Sequence, residues 1–327
     1  MTSSITDSTA GSTAGSITDR AAFGVHSVDH FALDVPDLAE ARRFLCAFGF
    51  DIEDREAPEA ELLLRASAST HVWARVRQGA RKRLAWLSFN CFADDFEPLR
   101  AQILRAGGRE APAPAHAPQD GFWFEDPDGN LLQVKPGAKT SPGCKPSARH
   151  EAQPPKLRGA SFRADAAPAR PTRLSHVLMF TPDVGRAVAF YERALGLRLS
   201  DGSEGIVAFL HARHGSDHHM VAFAQGSAKG WHHSAWDVPT VDEVGLGKMQ
   251  MAHAGYKEGW GVGRHVLGSN YFQYVRDPWG SYWEYSADID YVGAGTEWPR
   301  GNHPPEDSLY LWGPDVPDYF FENTEAS

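Results

Sequence analysis

Residues 28–54, VDHFALDVPDLAEARRFLCAFGFDIED, open with apolar and polar positions in alternation, pass through Pro-Asp, and continue with apolar residues at helical spacing. Alternation marks a strand with one buried face, and recurrence every three to four residues marks an amphipathic helix. Pro-Asp suits the entry to that helix and Gly49 its end. The same sentence is written again at 174–201, LSHVLMFTPDVGRAVAFYERALGLRLSD, with Gly196 as the stop. His30 and His176 share one register in the two copies.

A second pair follows, LSFNCFADDFEPLRAQILRAGG at 87–108 and HHSAWDVPTVDEVGLGKMQMAHAGY at 232–256, each reading strand, short turn, helix and glycine. Each member leads to a turn and a last strand, EDPDGNLLQVKP at 125–136 and RDPWGSYWEYSAD at 276–288. An internal repeat of this kind fixes the organisation before any motif is considered. It predicts four strand–helix–strands modules in two halves, residues 25–137 and 174–290. Residues 138–173, rich in Pro, Ala and basic side chains, read as a linker with little regular structure. The Ser/Thr-rich segment 1–24 lacks an apolar stretch and reads as a disordered tail rather than a signal peptide. The aromatic, Pro-rich extension 291–327 is expected to pack on the second half.

Bulk properties narrow the classes. A chain of 327 residues suits two domains. No apolar run approaches the ~20 residues of a bilayer span, so no membrane association is expected. A net charge of −10 argues against a nucleic-acid partner. Three cysteines without a CxxC pair make a disulfide framework improbable and fit a cytoplasmic setting. The fifteen histidines concentrate after residue 174, and that distribution needs a reason.

Adjacent side chains on a strand face opposite sides, so of His232 and His233 only one can serve a given face. Pro36, Pro182 and Pro239 each follow a histidine by six residues, and the partner of Pro239 is His233. His233 is therefore the equivalent of His176, and His232 is expected to point away and tolerate substitution. The Asp-Pro-x-Gly turns at Asp126 and Asp277 align Glu284 with Gln133. The second half then offers His176, His233 and Glu284 where the first offers His30, Ser88 and Gln133. Two imidazoles and a carboxylate form the facial triad of non-haem Fe(II) oxygenases, whereas Ser and Gln are poor ligands. The first half is expected to be metal-free. A type I turn closed by Gly280 as a bulge pairs Tyr274 with Glu284 across the last hairpin.

The run GRHVLGSNYFQYVRDPWGSYWEYSAD at 263–288 resembles the signature of the type I extradiol ring-cleaving dioxygenases within the vicinal oxygen chelate superfamily. His265, Tyr274 and Glu284 stand there at spacings of nine and ten residues. The resemblance spans about 26–290. It implies an α+β fold of four βαβββ modules arranged as two tandem domains, each a curved mixed sheet enclosing a cavity. It also implies metal ligands His176, His233 and Glu284, and His219 in DHHMVAF as the acid–base group. His265 and Tyr274 would bond the substrate oxygens. Fe(II), with Mn(II) as the other ion suited to this set, would be the cofactor. A small aromatic diol and O2 would be the substrates, and a homo-oligomer the expected assembly.

The implied reaction is extradiol cleavage of a catechol-type ring in aromatic catabolism. Trp231, Phe272, Trp279, Tyr282 and Trp283 are expected to surround the ring. His211, His214 and His218 read as rim residues of a hairpin, with His218 the candidate substrate contact. The alternatives are a glyoxalase-like isomerase or lyase, or an α-keto-acid-dependent dioxygenase. The first would not need His219, His265 and Tyr274 together, and oxygen uptake with a catechol and no keto acid separates the second.

Overall fold

In the computed structural model residues 21–55, 60–145 and 154–326 are described; most of the N-terminal Ser/Thr segment and part of the linker lie outside them. The two halves fold into two mixed sheets of eight and ten strands. In the first sheet, strand Ser27–Val35 pairs antiparallel with Arg83–Cys91, joining the first strands of two modules at the centre. Each central strand is flanked by the last strand of its own module, running parallel to it. The second sheet repeats this plan. Arg173–Thr181 pairs antiparallel with Gly230–Asp237, and the parallel neighbours are Val221–Gln225 and Tyr282–Ala287. Four βαβββ modules therefore meet two by two, as the repeat implied. No helix among the described residues is long and apolar enough to cross a membrane.

The helix boundaries follow from their caps. Asp37 and Asp183 each accept the backbone N–H three residues on at 2.9 Å, satisfying a donor that the first turn leaves free. Gly49 and Gly196 end the same helices at φ of 105° and 67°, a left-handed conformation that costs glycine little. Between the halves lies an aromatic core. Phe31 packs on Trp231 and Trp283, Phe50 on Trp236, and Tyr285 stacks on Phe48 at 3.9 Å between ring centres. Trp231 and Trp283, two of the aromatics expected around the substrate, are spent here.

The C-terminal extension adds strands to both edges of the second sheet. Gly301–Asn302 pairs with Leu197–Ser203, and Tyr310–Trp312 with Gly259–His265. Further along, Phe320 is buried against Trp260, Tyr274 and Tyr282. Of the linker, the described part holds one short 3₁₀ turn, Arg163–Asp165.

Candidate metal centre

The central pairing of the second sheet places His176 and His233 on adjacent antiparallel strands, and Glu284 on the strand parallel to that of His233. The three converge. Glu284 Oε2 is 3.4 Å from His176 Nε2 and 3.5 Å from His233 Nε2, and the three ligand atoms lie within 4.8 Å of one another. All three residues are buried, Glu284 completely. Glu284 Oε1 accepts a hydrogen bond from Asn270 Nδ2 at 2.9 Å, while Oε2 and His233 Nε2 have no hydrogen-bond partner. A buried carboxylate oxygen without a partner is costly. A divalent cation facing these atoms would remove that cost, so the residues fit a metal of nitrogen and oxygen preference.

Their tautomers are fixed from behind. The Ser175 hydroxyl donates to Asp217 Oδ2 at 2.9 Å, so its oxygen accepts from His176 Nδ1 at 3.2 Å and leaves Nε2 bare. Arg173 in turn clamps Asp217. His232 Nε2 lies 2.8 Å from the Phe320 carbonyl, which can only accept, so that nitrogen carries the proton. His232 Nδ1 is then an acceptor for His233 Nδ1–H at 2.7 Å, and His233 Nε2 is bare as well.

His232 thus departs from the expectation that it points away. The register between the two central strands shifts between Trp231 and His233, so a bulge sits at His232 and breaks the alternation. Its ring ends between Phe180, Tyr282 and Phe320 at the edge of the cavity.

The other predicted residues gather around the same point. The His219 ring lies 4.0 Å from that of His176, between centres. His265 Nδ1 donates to the Leu309 carbonyl at 2.6 Å, and its Nε2 accepts the Tyr274 hydroxyl at 2.9 Å. Burial pushes His219 and His233 well below the usual imidazole value, with neighbouring histidines adding to it. Burial, then the Glu284 charge, holds the Tyr274 hydroxyl well above its ordinary value. Tyr274 pairs with Glu284 across the hairpin, and Gly280 closes the turn at φ 92°, as the turn residues predict.

A cavity of about 420 Å³ opens in front of these groups. Its apolar walls include Leu178, Ile206, Phe209, Trp260, Phe320 and Phe321. None of the five aromatics proposed from sequence lines it. Phe272 stacks behind His265 at 4.1 Å, and Tyr282 lies behind His232 and Phe320. Local sequence offers no register for Phe209 or Phe320, because long-range pairing and the C-terminal extension bring them in. His218 is likewise no rim residue. It is fully buried, outside the cavity wall, and bonded to Asp201. His211 is buried against Ser200, and His214 packs on Phe92.

In the first half the equivalent side chains are already engaged with protein partners. His30 Nε2 accepts from Trp86 Nε1 at 2.9 Å, and His30 Nδ1 meets Asp29 at 2.7 Å. The Ser88 hydroxyl donates to Gln133 Oε1 at 2.7 Å. Each polar group satisfies another. Among the described residues the one ligand cluster is His176, His233 and Glu284.

The sequence model of the Glyoxalase/Bleomycin resistance protein/Dioxygenase superfamily matches residues 27–134 and 173–285, and the chain belongs to that superfamily. Within it, the chain is 58% identical to metapyrocatechase 2 of Cupriavidus necator over 302 residues, covering 92% of this chain and 93% of that protein. The fold is shared with the homoprotocatechuate 2,3-dioxygenase of Arthrobacter globiformis, at a TM-score of 0.73, 21% identity and 93% coverage of both chains. It is shared too with the Mn(II)-bound glyoxalase of Novosphingobium aromaticivorans, at a TM-score of 0.72 and 24% identity, covering 93% of this chain and 100% of that one.

Proposed function

We propose that His176, His233 and Glu284 hold an Fe(II) ion in this enzyme, an extradiol dioxygenase that opens catechol-type rings with O2. The observation that carries the site is the convergence of the three donors on Glu284 Oε2 and His233 Nε2, buried atoms with no other partner. Likeness to metapyrocatechase 2 supports the reaction. Mn(II) takes the same ligand set, and nitrogen and oxygen donors alone favour neither strongly.

The ion's contribution is to favour the diol anion and to hold diol and dioxygen side by side. The chain's own groups do the rest. His219, neutral and with one nitrogen toward the cavity, takes up the proton that the diol releases and returns it later. The Tyr274 hydroxyl stays protonated, its hydrogen on His265 Nε2, and its oxygen is free to accept from a substrate O–H. His265 orients that hydroxyl through Nε2, its own ring fixed by the Leu309 carbonyl. The walls from Phe209, Trp260 and Phe320 exclude water and favour an apolar ring over a charged one. Three unpaired cysteines support a reducing, cytoplasmic setting. The exposed Leu311 and Trp312 on an edge strand support a homo-oligomer.

Oxygen consumption by anaerobically purified, Fe(II)-loaded enzyme tests the proposal. Uptake with a catechol and no keto acid, with a yellow ring-fission product, is expected. Uptake that requires a keto acid would overturn it, as would full activity of the Glu284→Ala variant.

A further inference from the structure

We propose that Asp201 and His218 form a positioning pair for His219, fixing its ring with Nδ1 protonated and Nε2 bare toward the cavity. His219 Nδ1 lies 3.1 Å from His218 Nδ1, and His218 Nε2 lies 2.8 Å from Asp201 Oδ2. Asp201 is met by three further donors: Trp298 Nε1 at 2.9 Å, the Gly301 amide at 2.7 Å and His303 Nε2 at 3.0 Å. A carboxylate facing four donors stays ionised and only accepts. These bonds hold Asp201 at about 2, against its burial.

The direction of each bond then follows. His218 Nε2 must donate to Asp201, and in the neutral imidazole that the proposal assigns to His218 the other nitrogen, Nδ1, is then an acceptor. His219 Nδ1 must donate to it, and the remaining nitrogen of His219 carries the lone pair. A proton acceptor facing the substrate needs that tautomer, and the wrong one would present an N–H instead.

The pair is built in rather than incidental. The His218 amide donates to the Asp290 carbonyl at 2.6 Å, its carbonyl accepts from Ser200, and Trp298 packs edge-on to its ring. Gly268, at φ 90°, lays backbone against both rings; a Cβ there would stand 3.3 Å from His219 Cε1 and 3.5 Å from His218 Nδ1. A register shift between Leu199 and Asp201 turns the carboxylate toward His218. Trp298, Gly301 and His303 all belong to the C-terminal extension, so that segment secures the acid–base group as well as covering the cavity.

The inference rests on the reading of His219 as the acid–base group, and two measurements separate their failures. Imidazole ¹⁵N NMR of the metal-free full chain should show His219 as the Nδ1–H tautomer, changed in Asp201→Asn. An Nε2–H tautomer in the parent overturns the pairing whatever His219 does. In the Fe(II)-loaded enzyme, Asp201→Asn should lower kcat for catechol roughly 10–100-fold, with KM and iron content within about twofold, as expected for a group acting through another. Adding it to His219→Ala should cost no further kcat; an additive loss overturns the pairing. Full kcat in His219→Ala, with the tautomer as expected, would refute the acid–base reading instead. If Asp201→Asn does not fold, His218 decides. His218→Gln, which can both donate and accept, should retain more kcat than His218→Phe, and equal loss overturns the proposal.

Discussion

His232 Nδ1 stands 2.7 Å from His233 Nδ1, with the other nitrogen of His232 on the Phe320 carbonyl at 2.8 Å. The backbone of the C-terminal extension therefore reaches a candidate metal ligand through one imidazole. Substituting the two histidines should have different consequences. His233→Ala should lose both metal and turnover. His232→Phe should keep the shape but weaken metal binding ~10–100-fold, the usual cost of losing a ligand's orienting partner. Competition with a metal-sensitive chelator measures both; parent affinity in His232→Phe would contradict the orienting role.

His219 contributes no atom to the ligand cluster, although its ring touches that of His176. His219→Ala should keep its metal and lose ~10²–10⁴-fold in turnover, the range for a well-placed acid–base group. Metal analysis beside steady-state rates separates this outcome from loss of the site.

Phe320 offers two separable contributions, a ring in the cavity wall and a carbonyl on His232. Phe320→Ala removes the ring alone. It should raise KM for an alkyl-substituted catechol by roughly tenfold, about 1.4 kcal/mol of lost apolar contact, with metal affinity unchanged. Deleting residues 317–327 removes both and should weaken metal binding too.

Stability should fall on acidification below pH 6.5. Burial lowers His26 and His211 to about 4, so between 6.5 and 4 the unfolded chain binds protons that the folded chain refuses. Asp237, raised to about 6 by burial, acts oppositely, since the folded chain takes up its proton first. His211→Asn should flatten the fall in unfolding free energy by up to about 1.4 kcal/mol per pH unit, one proton's worth. Urea titrations from pH 7 to 4 read it, and an unchanged slope would contradict the buried neutral state.

Much of this was legible in sequence because it depends on short-range rules. Pro-Asp and Gly49 or Gly196 bounded the helices, and Gly280 set the register that pairs Tyr274 with Glu284. His232 was misplaced because strand alternation assumes a regular ladder, and one extra residue overturns it. Phe320 and Asp201 were missed because they act across long stretches of chain. A local signal did exist. Each of Asp29-His30, Ser175-His176, His218-His219 and His232-His233 joins a histidine's Nδ1 to the polar side chain before it. In these four pairs a polar residue just ahead of a histidine marks an imidazole held in one tautomer.

The most direct test is anomalous diffraction at the iron edge from crystals of the Fe(II)-loaded chain. One peak per chain is expected, about 2.0–2.2 Å from His176 Nε2, His233 Nε2 and a Glu284 carboxylate oxygen, with nothing beside His30. An active crystal with its peak elsewhere, or with none, would contradict the assignment.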